Sequence, residues 1–161
     1  MGLSAHIRPL TDSMALAYSH DPAFDRDSHA DEDAYLGAFR SATERLDYSG
    51  IVKAGEQPTL FHFRPLTDAE TRRIRGLGDI SDAQLAALVV RMTLDRVENG
   101  GELGKIERKV DNEYPGFGKL VIIPYMDVLG GISVQLGRPQ GEITNQLGIH
   151  VFMRSLNLDP K

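Results

Sequence analysis

Between Asp31 and Asp47 the residues Tyr35, Leu36, Phe39, Thr43 and Leu46 recur at steps of three and four, which puts them on one face of an amphipathic helix. Asp31, Glu32 and Asp33 open that stretch and complement the positive end of a helix dipole, while Arg45 lies near the negative end. Tyr48-Ser49-Gly50 is expected to stop it. Gly55-Glu56-Gln57-Pro58 then marks a turn, and the aromatic and β-branched run Thr59-Leu60-Phe61-His62-Phe63 predicts a strand. Thr67-Asp68-Ala69-Glu70 has the form of a capping box, in which threonine and glutamate each satisfy a backbone amide of the first turn, so a helix is expected from there through Ile74 to Gly76-Leu77-Gly78. Ser81-Asp82-Ala83-Gln84 is a second box. The apolar positions after it, Leu85, Leu88, Val89, Met92 and Val97, predict a helix that closes at Asn99-Gly100-Gly101.

Past Gly101 the pattern weakens into a long polar loop, with one short strand expected over Ile106 to Val110. Leu120 to Ile123 reads either as its partner or as the start of a helix broken at Pro124. Met126 to Leu136 predicts a short helix. Gly141 to Leu156 predicts a terminal one, with Ile143, Leu147, Val151 and Leu156 on one face and Asp159-Pro160 beyond its end. Residues 1 to about 30 hold few large apolar residues at any regular spacing, and from Asp12 on the chain sets Asp12, Asp21, Asp25, Asp27 and Asp31 against Arg26. Such a stretch buries too little apolar surface to offset its ordering entropy, so it reads as an extended acidic arm, either a tail without a role or a docking arm. The expected fold class is mainly α with a few short strands (α+β): a compact helical domain over residues 31–161 preceded by an acidic arm over residues 1–30.

One feature recurs. His6-Ile7-Arg8-Pro9-Leu10-Thr11-Asp12 and His62-Phe63-Arg64-Pro65-Leu66-Thr67-Asp68 differ only at Ile7 and Phe63, while the residues flanking them do not match. That excludes a solenoid repeat, which needs self-similarity over a whole structural unit. Proline favours extended backbone before it and Thr-Asp can cap the next element, so the bland reading is a strand-to-helix corner used twice. The sharper reading is that the first copy docks on a neighbouring subunit by strand addition.

Composition changes this picture mainly by exclusion. The chain has 161 residues, which suits one domain with its own core. Its net charge of -5 argues against nucleic acid as the main partner, because neutralising phosphates takes clustered Lys and Arg. The absence of Cys removes disulfides, thiolate metal sites and cysteine nucleophiles. The first residues lack the basic and apolar pattern of a secretory signal, and His6 breaks the myristoylation pattern. No apolar run approaches the roughly 20 residues that span a bilayer, so no membrane is expected as a partner.

Candidate chemistry is sparse. Asp25 to Asp31 alternates oxygen-bearing residues in the manner of a calcium loop, but Ala30 and Leu36 stand where such a loop needs Gly and Glu. His6, His20, His29, His62 and His150 include no pair at zinc-ligand spacing. His62 is expected to face away from Phe61 and Phe63, toward solvent or a polar contact, and His150 to be a satisfied core or rim residue. No Walker loop, dinucleotide fingerprint or nucleophile elbow occurs, so no catalytic residue, metal ligand or cofactor site is assigned. Arg64, Arg72, Arg73, Arg75 and Arg91 read as an ion-paired surface, with a face that receives acidic partners as the alternative.

The segment Leu60-Phe61-His62-Phe63-Arg64-Pro65-Leu66-Thr67-Asp68-Ala69-Glu70, leading into two helices, resembles small tailed-bacteriophage morphogenesis proteins, tail assembly chaperones among them. The endings Gln146-Leu147-Gly148-Ile149 and Arg154-Ser155-Leu156-Asn157-Leu158 look like the carboxyl termini of such proteins. The resemblance as a whole covers about half of the chain and carries over no catalytic residue. The resemblance implies a non-enzymatic structural protein of a virion, associated with neck, tail or capsid, whose partners are other phage structural proteins or further copies of itself. Its place would be the virion, or the host cytoplasm during assembly. An assembly chaperone or adaptor and a small metal-dependent hydrolase are the alternatives. Interaction is expected at Arg8, Pro9 and Leu10, at Arg64, Pro65 and Leu66, and at Leu147, Val151 and Phe152.

Overall fold

The computed structural model describes residues 13–99, 108–112, 114, 116–121 and 139–157. They form an α+β fold of four α-helices and two small antiparallel sheets. This corrects the expected mainly helical domain with an extended arm. Met14–Leu16 is strand β1, an integral part of the larger sheet, and the chain after it supplies core residues.

The larger sheet has the order β1-β2-β3, with β2 (Leu60–Phe63) in the middle. Met14 pairs with Phe63 and Leu16 with Phe61 on one side of β2. On its other side lies β3 (Leu94–Glu98), where the sequence pattern predicts helix. The helix α3 (Asp82–Thr93) begins at the anticipated Ser81 box, with both reciprocal hydrogen bonds made, but it ends at Thr93 and the backbone turns extended at Leu94. The reason for the difference is geometric. Leu94 pairs with Phe63 and Arg96 with His62, so Asp95 is an extra residue in a bulge. The bulge lets Leu94 and Val97 both face the core, and a spacing of three imitates helical periodicity. Asn99 then takes the left-handed conformation, and its side-chain amide donates to the Pro58 carbonyl.

Helix α1 (Glu32–Arg45) follows the acidic cap, with Asp31 accepting from the Ala34 amide. It stops at Leu46, before the expected Tyr48-Ser49-Gly50, because Leu46 adopts φ 54° and its amide closes the last turn. Helix α2 (Asp68–Arg75) has the complete Thr67 capping box. Strands β4 (Arg108–Val110) and β5 (Lys119–Val121) pair with each other, which decides the open alternative at Leu120 in favour of a strand. The expected helix over Met126 to Leu136 lies outside the described residues. The terminal helix α4 (Gln140–Asn157) is present and crosses α3 closely. At that crossing a Cβ on Gly148 would lie 2.3 Å from the Ala86 carbonyl oxygen, so only glycine lets the two backbones meet.

The apolar side chains gather in two clusters. One fills the space between the sheet, α2, α3 and α4, with Phe61, Phe63, Leu88, Leu94, Ile143, Leu147 and Val151 at its centre. The other joins the chain after β1 to α1 through Ala17, Phe24, Tyr35, Phe39, Tyr48 and Ile51. It is rich in rings, with Phe24, Phe39 and Tyr48 in mutual contact at centroid distances of 5.5 to 5.7 Å.

Candidate functional site

The described part of the segment expected from sequence to be an acidic arm is bound into the fold by buried polar contacts at residues 17–23. Asp21 is 4% exposed and accepts from the Ala23 amide at 2.9 Å and the Thr59 amide at 2.9 Å. Burial pushes its pKa above the ordinary 3.8, with the two amides pulling the other way. Ser19 is held from α4, its amide donating to the Gln146 side-chain oxygen at 2.8 Å and its hydroxyl accepting from the Gln146 nitrogen at 2.8 Å. Tyr35 donates its hydroxyl to the Ser19 carbonyl at 2.5 Å, and burial pushes its pKa up to about 12. Tyr48 accepts from the Ala17 amide, and Tyr18 donates to the Glu142 carboxylate.

Where the two clusters meet, their surfaces leave a groove of about 420 Å³ between the chain after β1, α1 and α4. Its apolar lining is Leu16, Ala17, Leu36, Phe39 and Leu147, and its polar lining is Ser19, Arg40, Thr43, Glu44, Gln146 and His150. Arg40 and Glu44 stand one turn apart on α1, both exposed, and neither makes an ion pair or a side-chain hydrogen bond among the described residues. The His150 Nε2 atom is buried without a hydrogen-bond partner among the described residues, which departs from the expected satisfied histidine. Burial and the nearby Arg154 lower its pKa, so the ring is neutral around pH 7. Mostly apolar walls with a few convergent polar groups are the general character of a binding surface.

Comparison with protein-family models, with curated proteins and with solved structures gave no match.

Of the residues expected to interact, Leu147 lines the groove, Val151 is buried in the first cluster and Phe152 packs at its margin. Arg8, Pro9 and Leu10 lie outside the described residues. Arg64, Pro65 and Leu66 form the corner between β2 and α2, and their polar groups are used within the chain. Arg64 grips Glu70 through two contacts of 2.8 Å and donates to the Pro65 and Met92 carbonyls. Burial alone raises the Glu70 pKa, but hydrogen bonds from Arg64 and the Thr67 amide outweigh it and hold the carboxyl below its ordinary 4.5. Leu66 is buried, and its amide donates to the Ser155 hydroxyl at 3.0 Å. His62 meets Glu98 at 2.8 Å, the polar contact its alternation implies.

Of the other arginines read as an ion-paired surface, Arg72 pairs with Asp68, Arg91 with Asp111, and Arg73 stacks over the Phe117 ring. Among the described residues no group of three or more His, Asp or Glu gathers at metal-binding distance. In the stretch that imitates a calcium loop, Asp25 accepts from the Ser28 amide and Asp31 caps α1. One pairing that sequence reasoning missed is Ser19 with His20, the hydroxyl 2.9 Å from Nδ1. Ser19 is 2% exposed and its oxygen already accepts from Gln146, so the arrangement serves to hold α4 against the chain after β1. Adjacent residues in a sequence carry no signal that one of them will also be held from 127 positions away.

Proposed function

We propose that this chain is a non-enzymatic contact protein, a structural component of a tailed-phage particle that assembles with further copies of itself and with other phage structural proteins. The observation that supports contact work is the groove at the seam of the two clusters. Its apolar walls suit a side chain of another protein, and its rim holds one cation and one anion with no ion pair among the described residues. Ion-pair partners supplied by another chain would give such a rim specificity more than raw affinity. The assignment to a phage particle rests on the likeness of Leu60 to Glu70, and of the end of α4, to small morphogenesis proteins.

The test is quantitative mass spectrometry of tailed-phage particles purified from cells that carry this coding sequence. The expected result is the chain at a constant copy number relative to the major structural proteins. Its absence from particles, while it is abundant in the producing cells, would remove the virion role and leave a transient assembly role.

A further inference from the structure

Among the described residues, the one buried side-chain nitrogen or oxygen without a hydrogen-bond partner is the His150 Nε2 atom, and His150 lines the groove. The residue as a whole is only partly buried, so its enclosed nitrogen lies one side-chain rotation from open space. Around it, α1 contributes Arg40 and Glu44, and α4 contributes Arg154. The chain after β1 contributes Leu16, Ala17 and Ser19 to the groove, and no charge.

A neutral imidazole bears an unsatisfied nitrogen at the modest cost of one unmade hydrogen bond. An imidazolium does not, because it carries a proton on both nitrogens and a full charge that needs a partner once it is shut off from water. Arg154 makes the enclosed position worse for a cation. It lies one turn further along α4 and is held at the seam by donating to the Glu44 backbone carbonyl at 3.3 Å. Burial and this neighbouring charge keep the His150 pKa below its ordinary 6.5. Glu44 is the only carboxylate among the groove-lining residues, and its side chain has no ion pair among the described residues.

We propose that His150 gates the groove: the neutral ring keeps its enclosed position, and the protonated ring turns out into the groove to face Glu44. Two movements relieve a buried imidazolium, and they differ in what they break. Parting α1 from α4 severs the Arg154 contact and the hydrogen bonds that run from Tyr35 through Ser19 to Gln146. Turning the side chain breaks no hydrogen bond at Nε2, since none is made there, and brings the charge to water and to a carboxylate. The smaller movement wins. The groove is therefore open at neutral pH and holds the imidazolium in acid, with the change setting in as pH falls below 6.5. Its consequence for docking rests on the proposed contact reading of the groove, whereas the turn itself does not.

Solution NMR of the full chain tests it, with His20, His29 and His62 as references in the same spectra. Between pH 7.5 and pH 4, His150 is expected to titrate with a midpoint below 6.5. At that same midpoint its α–β proton couplings, which report the side-chain rotamer, should change, and the Glu44 carboxyl carbon should respond. Glu44→Gln alters an exposed side chain outside both clusters and should lower the proton affinity of His150 about threefold. In His150→Gln the Glu44 response at that midpoint should vanish. Couplings that stay constant through the titration, a ring still neutral at pH 4, or a midpoint unmoved by Glu44→Gln would each overturn the gate, as would a Glu44 response that persists in His150→Gln. None of these readouts depends on assembly, so the contact reading stands or falls separately.

Discussion

The corner at residues 62–70 and the segment at residues 13–24 are joined across one strand pairing, yet they are held in opposite ways. At the corner, Thr67 and Glu70 cap each other across three residues and Arg64 reaches Glu70 across six. In the earlier segment, Asp21 is fixed by Thr59 across 38 residues and Ser19 by Gln146 across 127. A local device leaves its signature in consecutive residues, whereas a long-range one leaves only scattered aspartates and small residues. The same difference decides where charges remain without an internal ion pair. The corner uses its charges internally, while the seam beside the earlier segment leaves Arg40 and Glu44 without ion-pair partners among the described residues.

Helix α4 supports both regions, through Gln146 to Ser19 and through Ser155 to Leu66, so displacing it should erase the contrast. Gly148→Ala drives a Cβ into the Ala86 backbone and is expected to cost about 3 kcal/mol, more than the roughly 1 kcal/mol that alanine gains in a helix. Urea unfolding would show this loss, and protease sensitivity should rise in both regions together. Next in size, Asp21→Ala leaves the Ala23 and Thr59 amides without their acceptor and should cost about 2 kcal/mol. Here the effect should stay with one region: amide exchange accelerates over residues 17–24 and hardly changes at the α2 cap.

Glu70→Gln is the matching change at the corner, with an expected cost of about 1 kcal/mol at pH 7 from the lost charge on Arg64 and a weaker cap. The smallest effect is in the pH dependence, where the two carboxyls have opposite signs. Glu70 titrates lower in the folded chain, so its contribution is present above pH 4.5 and is lost as pH falls through its depressed value. Asp21 titrates higher when folded, so stability rises as pH falls through its raised value toward 3.8. Removing Glu70 should therefore flatten the acid limb of stability against pH, and removing Asp21 should steepen it. Urea midpoints measured from pH 7 to pH 3 check the pair of slopes.

The same physics separates what the sequence disclosed from what it hid. Both capping boxes, α1, α4 and the strand at Leu60 were legible because each rests on neighbours in sequence or on a period, whereas Leu120 stayed open between strand and helix until its pairing with Lys109 was seen. Strand β3 was hidden by a bulge that gave Leu94 and Val97 a helical spacing. Strand β1 was hidden because three residues make no period, and because the acidic composition around it suggested solvent. Leu147 was visible as an apolar position on α4. Leu36, Phe39, Arg40 and Glu44 looked like two faces of an ordinary surface helix until α4 and the chain after β1 were placed against it.

Hydrogen exchange across concentration bears most directly on the claim that this seam is a contact surface. The account predicts that amides over residues 36–44 and 146–150 exchange more slowly in the concentrated, assembled protein than in the diluted one, with no such change at the β2–α2 corner. Equal exchange at the seam in both states, while the mass in solution changes, would contradict it.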